Sequence, residues 1–172
     1  MAFTPEDGTG VEDANAYGSV AGADAYFLDR GITTWTGTDG VKQSALIRAT
    51  DYVEKRFKGQ WRGTRGSQEQ GLAWPRTYAY DVDGFLLEEV PLDLERAIYE
   101  YALRALTASL LPDPTVDATG RTVVSKREKV GPIEEETRYS ESAVLDVLIH
   151  PYPAADLLLK GLTVGARRSI RA

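Results

Sequence analysis

Leu92-Asp93-Leu94-Glu95-Arg96-Ala97-Ile98-Tyr99-Glu100-Tyr101-Ala102-Leu103-Arg104-Ala105-Leu106 is the stretch that decides the fold class. Leu94, Ala97, Ile98, Tyr101, Ala105 and Leu106 recur at the three- and four-residue steps that place side chains on one face of a helix. Pro91 suits the first turn, and Pro112 and Pro114 end the run. The spacing predicts a helix from Leu92 to about Leu111. Upstream, Ser19 is placed to cap a helix from Val20 to Arg30 that Gly31 stops, with Ala23, Tyr26 and Phe27 on its apolar face. After a turn containing Trp35 and Asp39-Gly40, a second helix is expected from Val41 to Lys58 and closed by Gly59. Its apolar set is Ala45, Ile47, Ala49, Tyr52, Val53 and Phe57. Residues 1–16, polar and rich in Gly and Asp, read as an extended arm.

Between the second helix and Pro91 lies Gln60-Trp61-Arg62-Gly63-Thr64-Arg65-Gly66, followed by Gln70-Gly71-Leu72-Ala73-Trp74-Pro75-Arg76. Rigid aromatics in such a loop can pin an irregular segment to a core, and arginines offer planar donors for carboxylates or phosphates. Asp83-Gly84, between Tyr80-Asp81-Val82 and Phe85-Leu86-Leu87, reads as a tight turn or small hairpin. Beyond Pro114, Arg121 to Val130 and Ile133 to Tyr139 have strand-like composition joined by Gly131-Pro132. They read as a long charged hairpin protruding from the helical body. Such a two-stranded ribbon has little core of its own. Lys126, Arg127 and Lys129 face a strand carrying Glu134 and Glu136, each good cross-strand pair being worth roughly 0.2–1 kcal/mol. A short helix capped by Ser140, another from Ala154 to Leu162, and a tail with Arg167, Arg168 and Arg171 complete the chain.

The whole is expected to be mainly α: a small helical bundle with a long Trp/Arg-rich loop and a protruding β-hairpin. As one domain it divides into an arm (1–16), helical core (17–111), hairpin (115–140), C-terminal helices (141–162) and basic tail (163–172). A chain of 172 residues is long enough to bury a proper core.

Composition narrows the chemistry. A net charge of -6 argues against general coating of nucleic acid. With no cysteine there is no disulfide scaffold, thiolate zinc site or cysteine nucleophile. No apolar run approaches the roughly 18 residues that span a bilayer, and the N-terminus lacks a signal-peptide pattern.

Sharper motifs fail on inspection. Gly59, Gly63, Gly66 and Gly71 lack the Gly-Lys-Ser/Thr of a phosphate loop. Asp81-Val82-Asp83-Gly84 opens like a calcium loop, but position twelve is Leu92 rather than Glu. Glu134-Glu135-Glu136, with Glu128 opposite, alternate faces on a strand and do not converge. His150 stands without a recognisable nucleophile and reads as a helix-end residue. Catalysis, metal binding and cofactor binding are therefore not expected. Trp61, Arg62, Arg65, Trp74 and Arg76 leave two readings open. They can stack on and clamp single-stranded DNA, or they can tie the loop to Glu69, Asp81 or Asp83, or to another subunit. The acidic balance favours the structural or interface role.

Ala23-Asp24-Ala25-Tyr26-Phe27, Ala45-Leu46-Ile47-Arg48-Ala49-Thr50-Asp51-Tyr52, Trp61-Arg62-Gly63, Gln70 to Arg76 and Val90-Pro91, in that order, resemble tailed-bacteriophage head–tail connector (adaptor) proteins, a family often labelled DnaT-like. The resemblance covers residues 17–111 well and extends to the hairpin and the Tyr-Pro-containing C-terminal segment. It implies a virion protein, made in the bacterial host cytoplasm, that forms a ring, usually twelvefold, beneath the portal protein. The other face would meet a neck or tail-completion protein, and packaged double-stranded DNA would pass through the channel. On this resemblance Arg167, Arg168 and Arg171 sit in the portal-docking tail. The alternative is a DnaT-like module that binds single-stranded DNA through Trp61, Arg62 and Arg65.

Overall fold

A computed structural model describes residues 2–87, 89–112, 123–129, 134–139 and 150–164. The chain forms two compact units, one from residues 1–110 and 152–172, the other from residues 111–151.

The first unit is built on helices. In α1 (Val20–Asp29), Ser19 Oγ accepts a hydrogen bond from Gly22 N–H at 3.0 Å, and Gly31 follows at φ +64°, so both expected end signals are in place. The second helix, α2 (Asp39–Arg56), carries Asp39 in its first turn and Lys55 and Arg56 in its last, the charge order that suits the helix dipole. It buries Ala45, Leu46, Ala49, Thr50, Tyr52 and Val53, whereas Ile47 and Phe57 are only partly covered. Helix α3 (Leu92–Ala105) packs on α2, and α4 (Pro153–Leu159), with proline at its N-terminus, packs on α3. Leu94, Ala97, Ile98, Tyr101 and Ala105 are buried as the periodicity requires, joined by Tyr99 and Ala102.

Two expectations need correction. Helix α3 stops at Ala105 rather than near Leu111. Thr107 N–H and its hydroxyl both donate to Arg104 O, at 3.2 and 3.3 Å, the local competition by which threonine loosens a helix end. The segment expected as an extended arm is folded. Strand β1 (Pro5–Glu6) pairs in parallel with β2 (Ala16–Tyr17), and Ala16 and Tyr17 are fully buried. The Glu6 carboxylate accepts from Gly8, Gly10 and Val11 N–H at 2.8–3.0 Å. It thereby supplies the acceptor this Gly-rich turn would otherwise take from water.

After α2 come two short antiparallel strands, β3 (Thr64–Arg65) and β4 (Arg76–Thr77). The chain returns beside them at its other end: Arg62 N–H donates to Leu162 O at 3.0 Å and Val164 N–H to Gln60 O at 2.7 Å. Thr163 and Val164 thus belong to the folded body rather than to a tail. Among the described residues no helix is long and apolar enough to cross a membrane.

The second unit contains the expected hairpin, β5 (Val123–Lys129) antiparallel to β6 (Glu134–Tyr139), with a register shift between Val123 and Ser125. The register sets Arg127 opposite Glu136 and Lys129 opposite Glu134. Lys126 meets Thr137, and Glu128 meets Glu135, so charge pairing holds at only part of the ribbon. The Gly131-Pro132 turn, the helix expected from its Ser140 cap through Ile149, and Arg167, Arg168 and Arg171 all lie outside the described residues.

Candidate functional site

The Trp/Arg segment turns its aromatic rings inward. Trp74 is 0% and Trp61 6% exposed. The two rings meet edge to face, with centroids 6.2 Å apart, and Phe57 lies 5.6 Å from Trp61. Neither indole N–H has a hydrogen-bond partner among the described residues, so both rings act as apolar bulk.

A polar frame holds them. Tyr17 O–H donates to Glu54 Oε1 at 2.5 Å and accepts from Trp74 N–H at 3.0 Å. Ala73 N–H donates to the same Glu54 oxygen at 3.2 Å. Burial raises the Glu54 pKa above its ordinary value, in spite of these hydrogen bonds, and pushes the Tyr17 phenol up as well. Neither residue stands out in the sequence, because their meeting depends on how β2, α2 and the loop pack. Gln70 is likewise buried: its amide donates to Leu72 O and Pro75 O, and its oxygen accepts from Ser67 N–H. At Gly71 a Cβ would stand 2.5 Å from Glu12 O, which accounts for the Gln-Gly pair.

The arginines are divided. Arg76 spends its guanidinium on three carbonyls, Arg62 O (2.6 Å), Gly63 O (2.7 Å) and Ala73 O (3.1 Å), and burial lowers its pKa. Arg62 reaches Thr163 O and Tyr80 O at 3.3 and 3.4 Å. Arg65 bonds Gln70 O but remains exposed. The expected ties from these arginines to Glu69, Asp81 or Asp83 do not form; backbone carbonyls take their place, since an irregular loop leaves acceptors that need donors. Trp61 and Trp74 are therefore turned into the fold, and Arg76 is engaged by backbone carbonyls.

The exposed chemistry lies beside them. Asp81 organises a small hairpin: its carboxylate accepts from Asp83 N–H (2.9 Å) and Phe85 N–H (2.8 Å), while Tyr80 pairs with Leu86 and Gly84 sits at φ +89°. This hairpin presents Tyr78, Val82 and Phe85 to solvent at 75%, 76% and 72% exposure. Several large apolar side chains exposed along one short segment are the kind of surface that marks an interaction site when they gather into a patch. The alternation Tyr78, Tyr80, Val82 was its signal in the sequence. On the other side of Arg76, a concavity of about 560 Å³ is bordered by Lys55, Lys58 and Arg65 and walled by Trp61, Leu72 and Ala73. Among the described residues no group of His, Cys, Asp and Glu is arranged to hold a metal ion.

These features define a small, mostly helical domain whose buried tryptophans are a scaffold and whose open surface is apolar and charged, suited to binding. The chain belongs to the family described as "Putative DnaT-like ssDNA binding protein", which matches residues 1–172. No curated protein and no solved structure matches it.

Proposed function

We propose that this chain is a structural assembly subunit, a head–tail connector of the kind its sequence resembles. In that role it forms a homo-oligomeric ring between a portal protein and a neck or tail-completion protein, with packaged DNA passing through. The observation that carries the reading is the inward placement of Trp61 and Trp74 together with an outward hairpin of exposed Tyr78, Val82 and Phe85 flanked by Asp81 and Asp83. Rings held inside the fold cannot stack on bases, and carboxylates beside the exposed rings repel phosphate. An apolar, acid-edged hairpin suits a protein partner better.

The test is to mix the purified protein with the portal protein of the same genome and image the product by electron microscopy. A ring capping the portal is expected; a bare portal in the presence of folded protein overturns the reading.

A second reading, binding of single-stranded DNA, is favoured by the family's description. It predicts fluorescence anisotropy of labelled oligo-dT that rises with protein and falls steeply with salt. On the structure such binding would draw on Arg65 with Lys55 and Lys58, not on the buried tryptophans. Absence of binding at low salt would remove it.

A further inference from the structure

We infer that the tip of the Tyr80–Leu86 hairpin of one copy docks at the cavity bordered by Lys55, Lys58 and Arg65 of a second copy. The inference rests on the assembly reading and names the contact that assembly would use.

Each half of the contact is incomplete by itself. At the cavity, Lys55, Lys58 and Arg65 are exposed and none has an ion-pair partner among the described residues. Among the described residues Glu54 is the one carboxylate in its lining, and that group is committed to Tyr17 and Ala73 N–H. An unbalanced cluster of cations on a chain of net charge -6 is the part of the surface where a carboxylate gains most from approach. At the tip, Asp81 is consumed by the turn, but the Asp83 side chain is exposed. On either side of it Val82 and Phe85 hold apolar surface in water. The tip thus offers apolar, acidic, apolar chemistry. The cavity answers with cations over a wall of Leu72, Ala73 and Trp61.

A nucleic acid would be drawn to the same cations. Asp81 and Asp83 flank the exposed Val82, and Glu89 borders the face that carries Tyr78, so a nucleic acid that reached from the cations to stack on the exposed rings would bring phosphates against carboxylates there. A second copy brings a complementary surface and no such conflict. Contacts that join one patch to a different patch on the next subunit are those that build rings when the rotation closes.

The chain has no cysteine, which makes cross-linking clean. Asp83→Cys protein is mixed with Lys58→Cys protein under mild oxidation, alone and with portal protein, and the disulfide-linked peptides are read by mass spectrometry. Leu28→Cys, on the exposed face of α1, replaces Lys58→Cys as the control partner. The expected result is a linked 83–58 peptide several-fold above the 83–28 control. With cysteine-free proteins, Asp83→Lys should weaken association, read by sedimentation alone and on the portal, and association should return when Asp83→Lys is mixed with Lys58→Asp. A ring on the portal with no excess of the 83–58 link overturns this contact and leaves the assembly reading standing. No ring and no link overturn both. Protection of the Lys58→Cys thiol by oligo-dT, without the link, overturns the contact and assigns the cavity to nucleic acid.

Discussion

Arg56 and Asp156, 100 residues apart, meet in a two-pronged ion pair, Nη1 to Oδ1 at 2.8 Å and Nη2 to Oδ2 at 3.0 Å. The pair joins the end of α2 to the first turn of α4. The Tyr52 hydroxyl oxygen accepts from the same guanidinium at 2.9 Å, Tyr101 O–H donates to Asp156, and Tyr152 N–H donates to Asp156 Oδ2 at 3.1 Å. The rings of Tyr52, Tyr101 and Tyr152 pack with centroids 5.1–6.0 Å apart. Burial works against the Arg56 charge, but the Asp156 hydrogen bonds, together with the charge interactions from Tyr101, Tyr52 and Asp156, outweigh it and raise its pKa; burial and Asp156 push the Tyr101 phenol up.

Replacing Asp156 with Ala leaves that guanidinium, whose side chain is only 17% exposed, without its carboxylate. Full burial would make the loss about 3–5 kcal/mol. Partial solvent access reduces it, and about 2 kcal/mol is expected from urea unfolding. Limited proteolysis should show the segment after Tyr152 cut first.

Trp74→Ala should cost about 3–5 kcal/mol, because a fully buried ring leaves a cavity. Trp74→Phe should cost distinctly less, since the indole N–H has no hydrogen bond to lose. Equal losses in urea titrations would show that the N–H is paired after all.

Glu54 gives stability a pH dependence of defined sign. Its pKa is raised by burial above 4.5, so the folded state holds its proton more tightly than the unfolded chain. Its contribution is fully present below the unfolded value and is lost as pH rises through the folded one. Glu54→Gln keeps an oxygen for Tyr17 and Ala73 and removes that decline. Thermal unfolding from pH 4 upward, compared between the two proteins, measures the difference.

Arg76→Lys should destabilise by about 2 kcal/mol, because an ammonium cannot span three carbonyls in one plane as the guanidinium does. Arg65→Ala, at an exposed position, should fall within about 0.5 kcal/mol. Any effect of Arg65→Ala on oligo-dT anisotropy would then report binding rather than folding.

A test of the C-terminal arginines must spare Thr163 and Val164, whose backbone pairs with Gln60–Arg62. Removing residues 165–172 should abolish portal docking and leave the melting temperature unchanged. Docking by the shortened protein, read by electron microscopy, would dismiss a role for Arg167, Arg168 and Arg171.

The helices were legible because their signals are local. Ser19 and Gly31 bracket α1, and the spacing from Leu94 to Ala105 repeats at the helical period, so neighbours in sequence suffice to choose the structure. Asp83-Gly84 marked its turn for the same reason. The inward role of the Trp/Arg segment was readable only as one of two alternatives: tryptophan and arginine serve a core and a nucleic-acid surface equally well. Burial of Trp74 was decided by Tyr17, Glu54 and Gln70, polar residues with no common motif that meet only when β2, α2 and the loop pack. The N-terminal segment looked like an arm because its composition is polar. It folds because Glu6 gathers three backbone N–H groups and Tyr17 enters the core. Local propensity thus selected the elements, while long-range hydrogen bonding and burial, which cost chain entropy and reward only residues already brought together, decided which side chains face inward and which are left to bind.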